Sequence, residues 1–245
     1  MRVAFLGATK GMGRALARLM AERGDALCLL GRNRVDLERS AADLGARAGG
    51  SAMPCVECDL EQPSGFVPAL DAAREALGGL DTVVVTAGIF AIQDELEANA
   101  DLAEQLLRVD FTNTVVFCEA AKKALLAEGG GTLCVFSSVA GERGRKPVII
   151  YGAAKAGLSR YLEGLDHKHD ADGLRVVTVK PGFVKTSMTA GLDPPPFAGE
   201  PEGVAKQALR AIDRGSPIVY APPAWRLIMA IIRGLPRTVM RRVGF

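Results

Sequence analysis

The strongest constraint on the fold is a regular alternation of short apolar runs with segments of helical periodicity. Seven runs have the character of strands: 3–6, 26–30, 53–58, 82–86, 132–136, 174–179 and 218–220. Helical periodicity separates most of them, for example over 12–23, 33–48 and 64–77. Short, continuously apolar strands joined by helices predict a parallel sheet covered on both faces. The predicted fold is therefore a doubly wound α/β sheet of about seven strands.

Size and composition indicate what kind of protein carries this fold. The 245 residues suit one domain, predicted over 1–245, and a net charge of +2 gives no reason to expect nucleic acid as a partner. Five cysteines are too few, and too strand-bound, for a disulfide scaffold. The N-terminus enters a strand directly, and no apolar run reaches the roughly 18 residues of a membrane span. We therefore expect a cytoplasmic location.

No metal site is expected. Cys55 and Cys58 form one C-x-x-C pair without a second pair, and strand alternation would point them to opposite faces. His167 and His169 are two residues apart on a predicted helix, so their side chains point apart. We interpret the cysteines as packing residues and the histidines as surface residues.

The stretch from 138 to 155 brings three reactive side chains toward one place. Tyr151 and Lys155 are four residues apart, so on a helix they lie one turn apart on the same face. Ser138 begins the loop that follows the predicted strand 132–136. The three groups would meet at the carboxyl end of a strand, where open parallel sheets bind ligands. A Y-x-x-x-K spacing also occurs in ordinary surface pairs, so alone it does not establish a site.

These three groups suit proton transfer to or from an alcohol or carbonyl oxygen. A free tyrosine has a pKa of about 10, and a nearby ammonium lowers it by favouring the phenolate. Lys155 is therefore expected to lower the pKa of Tyr151 toward the range in which general acid–base catalysis works best. Ser138 would donate a hydrogen bond to the substrate oxygen as charge develops there.

A glycine-rich turn follows the first strand and precedes a helix. Its residues are Gly7, Ala8, Thr9, Lys10, Gly11, Met12 and Gly13. Glycines let the backbone turn sharply and approach a pyrophosphate, which then lies over the free N–H groups of the helix N-terminus. The alternative is only a tight turn. Because the turn lies in the first strand–helix–strand unit, we favour a dinucleotide site.

The residues near the ribose favour NADP(H) over NAD(H). An NAD site usually places a carboxylate after the second strand, where it holds the ribose 2′-hydroxyl. This chain has Gly31 and Arg32 there, and Lys10 approaches from the glycine turn. Two cations without an acid suit a 2′-phosphate. The alternative for Arg32 is a solvated residue at a helix start.

Two further segments complete the predicted nucleotide site. Asp59 and Leu60 follow the third strand, where Asp59 would reach the adenine amino group. The fourth strand ends at Ala87 and Gly88, whose small side chains would let a cofactor lie against the backbone. A long helical region is predicted from 95 to 128.

Taken together in order, these motifs make the chain resemble the compact short-chain dehydrogenases/reductases over nearly its whole length. The family pattern T-G-x-x-x-G-x-G matches Gly7, Gly11 and Gly13, with leucine in place of the threonine. Its serine, tyrosine and lysine match Ser138, Tyr151 and Lys155. Its P-G-x-x-x-T-x-M matches the segment that contains Pro181, Gly182, Val184 and Thr186. The fold implied is a Rossmann-type sheet.

The resemblance also implies a mechanism, which is hydride transfer between NADPH and a carbonyl or alcohol carbon. Tyr151 would supply the proton, Ser138 would polarise the carbonyl, and Lys155 would hold the nicotinamide ribose. Thr186 would contact the nicotinamide amide, and Lys10 and Arg32 accompany NADP preference in the family. A homodimer or homotetramer is implied, built on the helix that carries Asp110 and the helix that carries Tyr151.

Two positions depart from the family pattern. The N-N-A-G segment has Thr86 in place of its structural asparagine. The V-N-L-x-G segment aligns with 109–113, so that Asp110 occupies the place of the catalytic asparagine and Asn113 that of the glycine. The family asparagine supports a water chain that relays protons to the lysine. Asp110 would still accept a hydrogen bond, and its charge would hold the lysine protonated.

Segments outside these motifs should select the substrate. Residues 183–200 contain three consecutive prolines and are predicted to form a lid. Residues 142–146 form a basic rim that would meet an anionic substrate, or else an ordinary solvated loop. Residues 224–242 carry Trp225 within an apolar, arginine-flanked stretch too short to span a membrane. This fits an amphipathic helix in peripheral contact with the inner face of the membrane, or equally a packing helix.

Three functional hypotheses follow. The first is an NADPH-dependent reductase of a carbonyl or alcohol substrate. The second is a catalytically weak NADPH-binding regulatory protein, which Asp110 and the tail suggest. The third rests on the tail and on KPGFVKTSMTAG, which are similar to a bacterial subgroup containing the reductase subunit of the decaprenylphosphoryl-ribose epimerase, and it implies a lipid-linked keto-sugar. An extended-type sugar epimerase would need a C-terminal substrate domain for which this chain has no room.

Overall fold

A computed structural model describes residues 1–50 and 52–244. Its centre is one sheet of seven parallel strands in the order β3-β2-β1-β4-β5-β6-β7. The strands are β1 Arg2–Leu6, β2 Ala26–Gly31, β3 Cys55–Glu57, β4 Thr82–Val85, β5 Gly131–Phe136, β6 Leu174–Pro181 and β7 Ile218–Ala221. The strand order reverses between β1 and β4, which creates the crevice at which such sheets bind ligands. The predicted doubly wound, Rossmann-type fold is confirmed.

Ten α-helices in the described residues surround this sheet. They are α1 Gly11–Glu22, α2 Arg34–Arg47, α3 Phe66–Leu77, α4 Gln93–Ala98, α5 Ala100–Leu107, α6 Thr114–Ala127, α7 Ile149–His169, α8 Pro201–Arg214, α9 Ala224–Gly234 and α10 Arg237–Met240. Apolar residues of α1, α2 and α8 pack on one face of the sheet, and those of α3, α6 and α7 pack on the other. Because both faces are covered, the central strands are mostly apolar and buried.

The two cysteines of the C-x-x-C pair lie on opposite faces, as strand alternation predicted. Cys55 packs with α1, α2 and α8, whereas Cys58 packs with the opposite cluster. All five cysteines are free thiols. The third strand is shorter than predicted, covering only Cys55–Glu57.

The predicted long helix over 95–128 is instead three helices and a π-helical segment. A break at Asn99 separates α4 from α5, and the Asn99 side chain accepts the Leu102 N–H to start α5. Residues Arg108–Asn113 form the π-helical segment. There the Thr114 hydroxyl donates to the Val109 carbonyl at 2.7 Å. Wide turns of this kind often occur at functional sites, and this one carries Asp110.

The predicted C-terminal helix over 224–242 is also divided. Helix α9 ends at Gly234, and α10 begins at Arg237. Pro236 lies between them and has no N–H for a helical hydrogen bond, and the residue before a proline is pushed toward extended backbone. Leu235 has that extended conformation, with φ −67° and ψ 134°.

Candidate active site

Ser138, Tyr151 and Lys155 lie together at the carboxyl end of β5. Tyr151 lies in the first turn of α7, and Lys155 follows one turn later, with its ammonium 5.5 Å from the centre of the tyrosine ring. Ser138 lies two residues beyond β5, where its Oγ accepts the Ala140 N–H at 3.0 Å. All three residues have little solvent exposure, and Lys155 is 5% exposed.

Gln93 holds the N-terminus of the helix that carries Tyr151. Its Oε1 accepts the N–H groups of Ile149 and Ile150 at 2.8 and 3.2 Å. These are among the first N–H groups of α7, which have no partner within the helix. Phe90 packs edge-to-face on Tyr151, with 5.1 Å between the ring centres. Sequence reasoning missed Gln93, because a single glutamine 56 residues before its partner leaves no local pattern.

Asp110 makes a direct ion pair with Lys155. Its Oδ2 lies 3.0 Å from the lysine Nζ, and the two side chains are 1% and 6% exposed. Its Oδ1 accepts the Ile89 N–H at 2.7 Å. Asp110 therefore fixes both the segment after β4 and the charge of Lys155. The side chain contacts the lysine without an intervening water, unlike the relay that the resemblance implies.

The expected effect of Lys155, which is to lower the pKa of Tyr151, is present, but the net shift of that pKa is upward. Burial raises the pKa of Tyr151, and the negative charge of Asp110 raises it further. The positive charge of Lys155 and the Ser138 hydroxyl act in the opposite direction, but the net shift is upward. Because this shift raises a pKa that is ordinarily about 10, Tyr151 is a protonated phenol at neutral pH.

The pKa of Lys155 is also raised. Burial alone would lower it, since a buried ammonium loses hydration. Attraction from Asp110 and Tyr151 outweighs that effect. Lys155 is therefore a permanently charged group under ordinary conditions.

The glycine turn is packed against the end of β4. A Cβ added at Gly7 would lie 2.5 Å from the Ala87 backbone nitrogen, and Gly7 has φ +100°, a conformation that suits glycine. A Cβ at Gly13 would overlap the Gly7 carbonyl and the Thr86 hydroxyl. That hydroxyl donates to the Gly7 carbonyl at 2.9 Å. Thr86 thus joins the turn to β4, a structural role in place of the family asparagine.

The turn also approaches the segment after β6. A Cβ added at Gly11 would lie 3.4 Å from the Thr186 methyl group, so the first and last predicted cofactor motifs lie next to each other. Thr186 accepts the Met188 N–H at 3.2 Å and begins a short turn. Met12 packs against the core beneath α1, and Thr9 lies in the turn itself.

Both predicted 2′-phosphate residues have an acidic neighbour. The Lys10 ammonium lies 3.2 Å from Asp36, and the Arg32 guanidinium lies 3.9 Å from Glu61. The two cations are 71% and 63% exposed. Ion pairs this exposed contribute only about 0–1 kcal/mol to stability. Another anion can therefore easily replace the carboxylate beside either cation.

The segment after β3 is held by a residue that sequence reasoning noted but did not assign. Asn113 donates from Nδ2 to the Leu60 carbonyl at 2.6 Å, and both residues are buried. Asp59 accepts the Glu61 N–H at 3.0 Å, which closes the turn. Gly88 lies against Asp110, where an added Cβ would be 3.0 Å from Oδ1. The small residues after β4 therefore make room for Asp110.

The predicted lid is closed at its base and covered by the tail. Val184 forms a bridge with Gly199, and its side chain lies in the core at 3% exposure. Trp225 of α9 donates from Nε1 to the Phe197 carbonyl at 3.3 Å. Its indole packs directly on Gly182, and Trp225 is 8% exposed. Trp225 is a packing residue, which for this side chain favours the packing helix of the two interpretations of the tail.

The predicted basic rim is neither free nor simply solvated. The Glu142 carboxylate is buried in ion pairs with Lys180 and Arg233. Arg143 donates to the Leu235 carbonyl at 2.9 Å, and Lys146 donates to the Arg241 carbonyl at 2.8 Å. These two cations satisfy carbonyls at the ends of α9 and α10, where the helix dipole favours positive charge. The rim therefore holds the tail in place.

The contact between Gly182 and Trp225 yields a prediction. In Gly182→Ala the new methyl would overlap the indole, so the lid or α9 must shift. We expect a loss of about 1–3 kcal/mol in the free energy of unfolding, measured by denaturant titration. The matched control is Gly164→Ala in α7, where nothing lies within 4 Å of the added methyl. That change should be neutral or stabilising, because alanine favours helix. Equal stability of the two variants would contradict the packing described.

In the described part of the chain, no cluster of three or more histidine, cysteine or carboxylate residues is arranged to bind a metal. His169 lies 2.8 Å from Asp172. Within residues 1–50 and 52–244, none of the helices combines the length and apolarity needed for a membrane span.

Similarity to known proteins agrees with this geometry. The sequence model of the short chain dehydrogenase family matches residues 2–195. An uncharacterized oxidoreductase of Mycobacterium tuberculosis (strain ATCC 25618 / H37Rv) is 35% identical over 241 residues, covering 98% of this chain and 96% of that protein. Carbonyl reductase family member 4 of Xenopus laevis is 28% identical over 214 residues, covering 84% and 88%. A solved short-chain type dehydrogenase/reductase from Mycobacterium marinum aligns with TM-score 0.81 and 25% identity, over 89% of this chain and 93% of that chain.

Proposed function

This chain belongs to the short-chain dehydrogenase family, whose members are hydride-transferring oxidoreductases that use a nicotinamide cofactor, and we propose that it is an NADPH-dependent carbonyl reductase. The observation that carries the proposal is the convergence of Ser138, Tyr151 and Lys155 at the carboxyl end of β5. Members of the family usually act on small molecules. We propose a carbonyl compound as the substrate.

The upward shift of the Tyr151 pKa favours reduction as the direction of the reaction. A protonated phenol donates to the oxygen of a carbonyl as that oxygen gains negative charge. Ser138 would hold the same oxygen by hydrogen bonding. Lys155, kept charged by Asp110, would stabilise the phenolate left after proton donation. The cofactor, when bound, supplies the hydride.

The N-terminus of α1 fits the phosphates of such a cofactor. Lys10 precedes the helix in an extended conformation and provides no side-chain cap. The N-cap residue therefore leaves the first N–H groups of α1 without a side-chain partner, and such groups suit an anion. Thr9, Gly11, Met12 and Gly13 are the residues proposed to hold the pyrophosphate. Asp59, Leu60, Ala87 and Gly88 would enclose the adenosine, and Pro181, Gly182, Val184 and Thr186 would lie beside the nicotinamide.

A preference for NADPH rests on Lys10 and Arg32. Each has an acidic neighbour, but a phosphate with nearly two charges competes well with one partly solvated carboxylate. Charge-assisted hydrogen bonds contribute about 1.5–3 kcal/mol each. Loss of either cation should therefore weaken NADPH binding about 10- to 100-fold and leave NADH binding nearly unchanged.

The test is a titration with NADPH and NADH, followed by the fluorescence of the reduced nicotinamide. Lys10→Ala and Arg32→Ala are compared with Arg34→Ala, which removes a nearby cation that is 79% exposed and paired with Glu38. The control should retain the wild-type preference. A wild-type preference for NADH would refute the NADP assignment and leave the proposed reduction intact. Binding of neither nucleotide would refute the proposed enzyme itself.

The lid and the tail would select an amphiphilic substrate. Phe197 of the lid is 63% exposed, and α9 exposes Leu227 and Ile231 at 68% and 59%. These two residues lie one turn apart, opposite the face buried by Trp225. We propose that they make peripheral contact with lipid, which vesicle flotation of Leu227→Ser/Ile231→Ser would test. The resemblance to the bacterial subgroup predicts one such amphiphilic substrate, a lipid-linked keto-sugar.

A further inference from the structure

A groove lined with arginines lies on the sheet edge, away from the candidate active site. It runs between α8 and α9 along β7 and encloses about 860 Å³. Neither Ser138, Tyr151 nor Lys155 lines it. Cavities of this size are typical of small-ligand sites. We call it the arginine groove and define it by Gln207, Arg210, Arg214, Tyr220, Arg226 and Arg233.

The arginines come from two facing helical stripes. Arg210 and Arg214 are one turn apart on α8, so they project from the same face. Arg226 and Arg233 are seven residues apart, two turns of α9, and likewise share a face. The two stripes form opposite walls, with β7 as the floor. Four guanidinium groups therefore face one concave space.

Three of the four groove arginines have no acidic partner in the part of the chain that the structure describes. Within residues 1–50 and 52–244, Arg210, Arg214 and Arg226 have no carboxylate within 4.0 Å, and the groove lining contains no acidic residue. Arg233 is paired with Glu142 at 3.1 Å. Cations that line one concave surface create a positive potential there, which an added anion would lower.

The groove also offers uncharged hydrogen-bonding groups. Strand β7 is at the edge of the sheet and pairs only with β6, so its outer N–H and C=O groups take no part in the sheet. The side-chain Oε1 of Gln207 is buried and has no partner within the described chain. A ligand in the groove would therefore meet the charge of the arginines, the N–H donors of the β7 edge, and acceptor oxygens that suit the hydroxyl groups of an organic phosphate.

We propose that the arginine groove binds a phosphate-bearing small ligand. The planar fork of arginine donates two parallel hydrogen bonds to phosphate oxygens, and several arginines together match a multiply charged anion. A second copy of the chain is a poor occupant, because a two-fold axis would set the same arginines against each other. An acidic peptide added to β7 is the main competing occupant.

Calorimetric titration with inorganic pyrophosphate tests this site without any assay of the proposed reaction. Arg214→Gln/Arg226→Gln removes one unpaired cation from each wall, and both side chains are exposed, so folding should be retained. Lys10→Gln/Arg32→Gln removes equal charge from the proposed cofactor site. We expect saturable binding that is at least about tenfold weaker in the groove variant and still measurable in the control. Wild-type affinity in the groove variant, whether or not the control loses binding, would place the pyrophosphate outside the groove, for example at the glycine turn, and would overturn the proposal.

Two further probes identify the source of the phosphate. Vesicles of phosphatidylcholine with phosphatidic acid present the same group at a lipid surface. If they bind in an Arg214- and Arg226-dependent manner and soluble pyrophosphate does not, the ligand is a lipid headgroup. Pyrophosphate binding without vesicle binding indicates a soluble organic phosphate. Binding of a pentaglutamate peptide but of neither phosphate probe would overturn the proposal in favour of an acidic peptide, and failure of all three would overturn it outright.

Discussion

Replacement of Tyr151 by phenylalanine is expected to lower kcat for carbonyl reduction by about 10²- to 10⁴-fold, the usual contribution of a general acid. The variant loses only the hydroxyl that donates the proton, while the ring keeps its contact with Phe90. KM should change little, because most of the proposed substrate and cofactor contacts remain. The measurement is steady-state kinetics with NADPH and a reactive carbonyl compound.

Tyr161→Phe provides the matched control. Tyr161 lies on the same helix, and its hydroxyl donates to Glu119 at 2.8 Å. Its removal should leave kcat within about twofold of wild type, since Tyr161 lies ten residues, or about 15 Å, along α7 from Tyr151. Activity that survives in Tyr151→Phe would refute the proposed acid. A wild-type protein that binds NADPH but reduces no carbonyl compound would favour the regulatory hypothesis instead.

The raised pKa of Tyr151 also sets the expected pH profile of the wild type. Carbonyl reduction needs the protonated phenol, so its rate should stay level through neutral pH and fall only above about pH 10. Alcohol oxidation needs the phenolate and should rise over the same alkaline range. Burial is the main cause of the shift, and the charge of Asp110 adds to it.

Sequence reasoning was most successful where a function depends on a short motif. The glycine turn and the pair Tyr151–Lys155 lie within a few residues, so their spacing survives in the sequence. Asp110, the ion partner of Lys155, could also be located by alignment with the family motif. Its direct contact with the lysine could not be predicted. That contact requires the π-helical turn at Arg108–Asn113, which depends on where Val109 and Thr114 pack.

Contacts between distant segments could not be predicted in the same way. Trp225 packs on Gly182, and Arg143 and Lys146 hold the ends of the tail helices. From the sequence, these residues had the composition of a membrane-facing helix and a basic rim. The composition of a segment indicates whether its side chains suit an apolar or a polar environment. Which distant residues they contact is determined by the tertiary fold. The same limit applies to Gln93 at the start of α7.

The Asp110–Lys155 ion pair leads to the second large effect. Asp110→Asn keeps an oxygen for the Ile89 N–H but removes the negative charge beside Lys155. A buried ammonium without its partner costs about 3–5 kcal/mol, so the free energy of unfolding should fall by roughly 3 kcal/mol at pH 7. Glu38→Gln, which breaks an exposed pair with Arg34, should cost only about 0.5 kcal/mol.

The pH dependence of these effects follows from the direction of the pKa shifts. Lys155 has a folded pKa above its unfolded value, so its contribution to stability is fully present below about pH 10 and is lost as the pH rises through the folded pKa. The stability difference between wild type and Asp110→Asn should therefore be constant from neutral to mildly alkaline pH. Because Asp110 raises the pKa of Tyr151, its loss should move the alkaline limb of carbonyl reduction to lower pH. If Asp110→Asn is as stable as Glu38→Gln and its pH profile does not move, Asp110 and Lys155 are not a charged pair in solution, and the proposed control of Tyr151 by Asp110 is wrong.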